Sequence, residues 1–168
     1  MTKFSANLGF LWTDLSLPDA IRAAKRAGFD AVECHWPYDV LVDDVKAALK
    51  ETGLEMLGLN TSRGKVLAGE MGLSALTDRV EDARKAIDQA LDYAVEIDAQ
   101  NIHVMAGFAN GEEARQTYVD NLTYACGKAA ALGKVILSLR LRLLGLIDLL
   151  FDALDILRLV RHSLIRRP

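Results

Sequence analysis

Short apolar runs of strand length alternate along this chain with longer stretches of helical period. FSANL (4–8), FDAVECH (29–35), LEMLGLN (54–60), NIHVMAG (101–107) and KVILSL (134–139) read as strands. Between them lie helices at 16–28, 42–53, 78–97 and 110–133, with a fifth at 141–162. Ser16 is placed as an N-cap, Pro18 falls in a first turn, and Gly28 and Gly53 are stops. Asp78 with Glu81, and Asn110 with Glu113, have capping-box spacing. Strands alternating with helices predict right-handed βαβ units and a parallel sheet. About five such units fit either part of a (βα)8 barrel or an open doubly wound sheet.

Alternation within the strands separates the two. Ala6 and Leu8 oppose Ser5 and Asn7; Val32 and Cys34 oppose Ala31, Glu33 and His35. Leu57 and Leu59 oppose Met56, Gly58 and Asn60, and Ile102 and Val104 oppose Asn101 and His103. One face is apolar and the other mixed, with Asn7, Glu33, His35, Asn60 and His103 gathered toward the C-terminal strand ends. A sheet covered by helices on both sides needs two apolar faces. A barrel tolerates polar strand ends, because its sites sit at that end. The pattern therefore favours an α/β fold derived from a partial (βα)8 TIM barrel, 1–168 forming one domain.

Composition adds limits. The 168 residues are 51% apolar and carry a net charge of −3, which gives nucleic acid no electrostatic foothold. The start has no apolar core of a signal peptide, and a cytoplasmic protein is expected. Cys34 and Cys126 form no CxxC pair and read as buried free thiols. No Walker loop, GxGxxG or nucleophile elbow is present. Glu33 can serve as a base, a substrate-positioning group or half of a structural ion pair. His35 and His103 without a third acidic partner are a weak metal signal, and hydrogen bonding to a substrate or neighbouring strand is the better reading. Trp12, Trp36, Pro37 and Tyr38 are candidate pocket walls or loop packing. The loop at 60–77 is long for a βα connection, and its Arg63, Lys65 and Glu70 are candidate substrate contacts or solvated charges.

FSANLGFLW, AGFDAVECHWPYDV, LGLNTSRG, AGEMGLSAL, NIHVMAG and YVDNLTYAC together resemble the hydroxypyruvate isomerase family of xylose-isomerase-like TIM barrels, from about Lys3 to Lys134. The resemblance implies interconversion of hydroxypyruvate and tartronate semialdehyde through an enediol. A divalent metal such as Mg or Mn would polarise the oxygens, and two glutamates would act as acid and base. On the family pattern the fifth strand ends in Glu-Pro; here Leu139 and Arg140 stand at those positions, and no glutamate follows Glu113. The resemblance thus leaves the substrate-facing residues Asn7, Glu33, His35, Asn60, Arg63, Glu70 and His103, with neither catalytic carboxylate nor metal ligands.

The segment after Val135 differs in vocabulary. It carries six Arg and three Asp, a local charge of +3 against −6 for the remainder. Between 142 and 162 its polar positions trace one narrow helical stripe. A membrane span is disfavoured by Asp148, Asp152, Asp155 and Arg158, each costing about 2.5–3.5 kcal/mol near a bilayer centre. Burial against protein fits better, either as a plug over the open half-barrel or as a homodimer interface. The expectation is a truncated barrel whose C-terminal half has been replaced by engineering, selection or frame-shift. Such a chain is a self-associating scaffold without catalysis, or an isomerase with residual metal-dependent activity in a dimer-completed site.

Overall fold

The computed structural model describes residues 2–138. The expected helix at 141–162 and the positions Leu139 and Arg140 lie outside the described residues. The elements run β1 (Ser5–Asn7), α1 (Leu17–Arg26), β2 (Ala31–Glu33), α2 (Val42–Thr52), β3 (Glu55–Met56), β4 (Gly58–Asn60), a 3-10 turn (Val66–Ala68), α3 (Val80–Glu96), β5 (Asn101–His103), α4 (Gly111–Leu132) and β6 (Val135–Leu137). The alternating order is the expected one, and the paired strands are parallel. The strands are shorter than their apolar runs. In the runs 4–8, 101–107 and 134–139 the described C-terminal residues lie beyond the strands, whereas Asn60 still ends β4.

The described residues divide into two compact units, 2–61 with 89–103 and 62–88 with 104–138. In the first, β1 pairs with β2, β2 with β3, and β4 with β5. Cys34 N–H to Gly58 O (3.0 Å) and Asn60 N–H to His35 O (2.8 Å) carry the ladder from the end of β2 onto β4. The buried row is Ala6, Val32, Met56, Leu59 and Ile102, each at most 2% exposed. Burying a side chain of Val, Leu, Ile or Met size contributes roughly 1.5–3 kcal/mol, so this row sets the register.

Here the sequence reading needs correction. Met56 pairs with Val32, and Leu59 with Ile102, so both belong to the buried row although they are three residues apart. Strict alternation would put them on opposite faces. The run breaks at Leu57, between β3 and β4, and the one-residue offset restores the apolar residue to the buried side. Leu57 is only half-buried.

Helix starts also differ. Ser16 caps α1 as expected, its Oγ accepting from Asp19 N–H at 3.3 Å. Asn110 makes no side-chain cap bond, so the capping box at 110 and 113 does not form. The first residue of the helix, Gly111, has φ 87° and sets the direction in which the chain enters it. The helix expected from Asp78 begins at Val80. Cys34 is buried, whereas Cys126 is half-buried. Among the described residues no helix is long and apolar enough to cross a membrane.

In the second unit the loop after β4 is pinned to the segment after β5. Ser74 N–H donates to Met105 O (3.2 Å), and Ala75 N–H to Ala106 O (2.7 Å). Gly72 bridges Ala106 in the antiparallel sense. A side chain on Gly72 would lie 2.6 Å from Gly107 N and from Met105 O, at φ 121°. Asn121 of α4, fully buried, donates from Nδ2 to Ser74 O at 2.9 Å and holds the same loop from another element. The Gly72→Ala variant is expected to lose about 2–3 kcal/mol of stability in urea melts, since both backbone strain and a backbone clash oppose it. Gly28→Ala, also at positive φ but with open space around it, should lose only about 1 kcal/mol.

Candidate functional site

Four of the candidate residues of the first unit are the last residues of their strands: Asn7 of β1, Glu33 of β2, Asn60 of β4 and His103 of β5. A parallel sheet brings such ends together, because its strands all point the same way. Asn7 registers with Glu33, and Asn60 with His103. His35, two residues beyond β2, accepts from Asn60 N–H through its carbonyl. These five residues therefore lie at the C-terminal ends of parallel strands of two sheets, which the Cys34–Gly58 and Asn60–His35 backbone bonds link.

Local turns set their positions. Asn7 ends β1 in a tight turn, with its Oδ1 accepting from Gly9 N–H (2.9 Å) and its carbonyl from Phe10 and Leu11 N–H. Gly9 then passes directly over the His35 ring, where an added Cβ would lie 2.1 Å from Nδ1. Phe10 and Trp36 meet the same ring edge-on, each with centroids 4.9 Å away. His35 is thus clamped by a glycine and two aromatic rings. Sequence reasoning missed Gly9; the only signal was a glycine just after a strand end.

Tyr38 is a candidate for either a pocket wall or loop packing, and its contacts are those of packing. Its hydroxyl donates to the Asn60 carbonyl, and its ring packs edge-on against Tyr93. Burial pushes its phenol well above the usual range, so it remains a donor at any physiological pH. Tyr93 in turn donates to Val40 O at 3.0 Å. Trp12 packs edge-on against Phe29.

Asn60 Oδ1 lies 3.2 Å from His103 Nδ1. Burial and the nearby His35 hold His103 below the ordinary imidazole value, so it is the neutral ring that stands at the strand end at neutral pH. Glu33 is half-buried, and among the described residues its carboxylate makes no hydrogen bond or ion pair. Its charge reinforces the effect of burial on the adjacent Cys34, whose thiol is pushed up to about 12 and is inert.

Arg63 and Glu70 belong to the second unit. Glu70 accepts from Lys65 N–H (2.5 Å) and from Arg79 Nη1 (2.6 Å). These bonds, the Lys65 amide first, hold its carboxyl below the usual range. Arg79 also reaches Asp82. Glu70 is therefore committed to closing its own loop. The Arg63 carbonyl accepts from Gly72 N–H, fixing the base of that loop. Asn121, which clamps the loop through Ser74, was not anticipated; a lone Asn inside a helical pattern gives no sequence signal.

The family model for xylose isomerase-like TIM barrels matches residues 21–160. The chain belongs to this family. The match runs past Lys134, where the sequence resemblance was read to stop. A 2-oxo-tetronate isomerase of Pectobacterium atrosepticum is 44% identical over 137 residues, 79% of this chain and 52% of that protein. A Danio rerio protein provisionally named hydroxypyruvate isomerase is 40% identical over 134 residues, 74% of this chain and 49% of that one. The solved structure of an AP endonuclease, family 2, from Brucella melitensis superposes with a TM-score of 0.82 at 30% identity. It covers 97% of this chain and 65% of that one. The chain spans about half the length of the named relatives it matches. Family membership accounts for the alternating strands and helices and for the parallel pairing.

The resemblance to hydroxypyruvate isomerases implies a divalent metal. Among the described residues no group of three His, Cys, Asp or Glu side chains could hold one. Glu33, His35 and His103 do not make up such a group among the described residues.

Two variants test this geometry. Gly9→Ala keeps an allowed backbone but drives a methyl into the His35 ring; it should shift the His35 imidazole resonances and lower stability by about 1–3 kcal/mol. His103 has a depressed folded pKa, so the stability it contributes is complete above about 6.5, the ordinary value. That contribution is lost as pH falls from there through the folded value, because the unfolded chain then binds more protons. His103→Gln should therefore flatten the acid side of the stability profile below pH 6.5 in urea melts.

Proposed function

We propose that the strand-end cluster is the substrate-facing part of an isomerase site for small hydroxy-keto acids, of the hydroxypyruvate and 2-oxo-tetronate type. We further propose that this chain by itself is a self-associating half-barrel scaffold with little or no turnover. The observation that carries the first statement is the convergence of Asn7, Glu33, Asn60 and His103 on four parallel strand ends. Glu33 in particular is a half-buried carboxylate without a cation partner among the described residues. Leaving such a group unpaired costs stability, and it is repaid when a ligand hydroxyl donates to it. Asn7, Glu33, His35, Asn60 and His103 would contact the substrate.

The second statement rests on chemistry that the residues do not supply. Moving a proton through an enediol needs a base and a group that stabilises the developing oxyanion. Leu139 stands where the family pattern has glutamate, no glutamate follows Glu113, and the described residues offer no metal site. The apolar composition of 141–162 supports association between copies as a homodimer or other homo-oligomer. A second reading, residual isomerisation in a site completed by a partner copy, is favoured by the unpaired Glu33 alone.

An assay with hydroxypyruvate and added Mg²⁺ or Mn²⁺ separates the two. No turnover above background is expected. Metal-dependent turnover abolished by Glu33→Gln would establish the second reading instead. Light scattering should give an oligomer at micromolar concentration; a monomer would sink self-association.

A further inference from the structure

The Asn60–His103 contact determines more than position. Asn60 presents its carbonyl oxygen, not its amide nitrogen, to His103 Nδ1 at 3.2 Å. An oxygen can only accept, so this contact is a hydrogen bond when Nδ1 carries the proton. A neutral imidazole has one N–H, and here it is used; Nε2 is left as a lone pair. Among the described residues Nε2 makes no hydrogen bond, and the side chain is only half-buried.

We propose that Asn60 is a positioning residue that locks His103 in its Nδ1–H tautomer, so that Nε2 accepts a hydrogen bond from a hydroxyl of the bound small molecule. In water an unconstrained histidine favours the opposite, Nε2–H form, so the protein must impose this one. Three features hold Asn60 in place to do so. It is the last residue of β4, in register with His103. Its N–H donates to His35 O at 2.8 Å, and its carbonyl accepts from the Tyr38 hydroxyl. With both backbone groups fixed, the side chain starts from a fixed Cα beside the ring it orients. His103 is anchored as well, because Thr61 N–H donates to its carbonyl at 2.9 Å.

The consequence is a statement about ligand class. A lone pair at Nε2 and an unpaired carboxylate at Glu33 are both acceptors. They recognise hydroxyl groups and reject a carbonyl or carboxylate oxygen placed at the same points, since two acceptors repel. The ligand portion that lies at these strand ends is therefore its hydroxyl-bearing carbon. The identity of the hydroxyl rests on the isomerase-type reading above; the tautomer does not.

The test uses the full chain labelled with ¹⁵N and long-range ¹H–¹⁵N correlation of the imidazoles at pH 7.5, with His103→Gln to assign the signals. A protonated Nδ1 and an unprotonated Nε2 are expected for His103. Asn60→Leu, which removes the acceptor, should convert the ring to the Nε2–H form. Asn60→Asp, still an acceptor, should retain Nδ1–H. Added hydroxypyruvate should move the His103 Nε2 resonance in the parent chain and not in Asn60→Leu. An Nε2–H signal in the parent chain, or an unchanged tautomer in a folded Asn60→Leu, overturns the proposal. If Asn60→Leu does not fold, the parent spectrum and Asn60→Asp decide, and loss of Nδ1–H in the aspartate variant also overturns it. No response to hydroxypyruvate with the Nδ1–H tautomer intact refutes the isomerase-type ligand and the hydroxyl bond, while the positioning role of Asn60 stands.

Discussion

The site depends on one break in one strand. Met56 and Leu59 must both be buried, because each pairs with the most enclosed residue of its neighbour, Val32 and Ile102. A regular strand cannot do this across three residues. If alternation ran on from Met56, Asn60 would point into the buried layer, and an unsatisfied amide there costs a few kcal/mol. The interruption at Leu57 moves Leu59 in and Asn60 out. It is then that Asn60 lies level with His103, and that its backbone reaches His35 on one side and Tyr38 on the other.

The same reasoning explains why so little of the site lies within ladders. Strands of two or three residues end where their polar residues begin. Each end is then held by a turn rather than by further pairing: the Asn7 turn over Gly9, the Tyr38 hydroxyl on Asn60, and the Thr61 amide on His103. These bonds satisfy backbone groups that would otherwise lose partners as the chain leaves the sheet. They also leave the side chains of Glu33 and His103 with unused acceptor capacity among the described residues.

How much of this the sequence shows follows from which forces are periodic. Burial is periodic, so the alternation of Ala6, Val32, Leu59 and Ile102 against Asn7, Glu33, Asn60 and His103 could be read directly. The fold class followed from it, and the family model agrees. Met56 and Leu57 were misplaced because a bulge is an exception to a period. Gly58, a glycine within a strand run, was the available hint. The capping box at Asn110 failed for a related reason: spacing reports which residues are close in sequence, while the positive φ of Gly111 sets the direction of the chain. Gly9 and Asn121 act through contacts distant in sequence, His35 for one and Ser74 for the other. No local pattern carries those.

Glu70 and Glu33 show what separates a structural carboxylate from an available one. Both are half-buried glutamates in segments that resemble an isomerase. Glu70 meets an amide and a guanidinium, each near 2.5 Å, and both interactions favour its ionised form. Its burial is compensated from within the loop, so neutralising it would loosen that loop whether or not a ligand is bound. Glu33 has no such compensation among the described residues. Under the proposed function its partner is a hydroxyl donor, which also suits the neutral His103 on the neighbouring strand end. Residue type and exposure are the same in the two cases; the partner inventory is what differs.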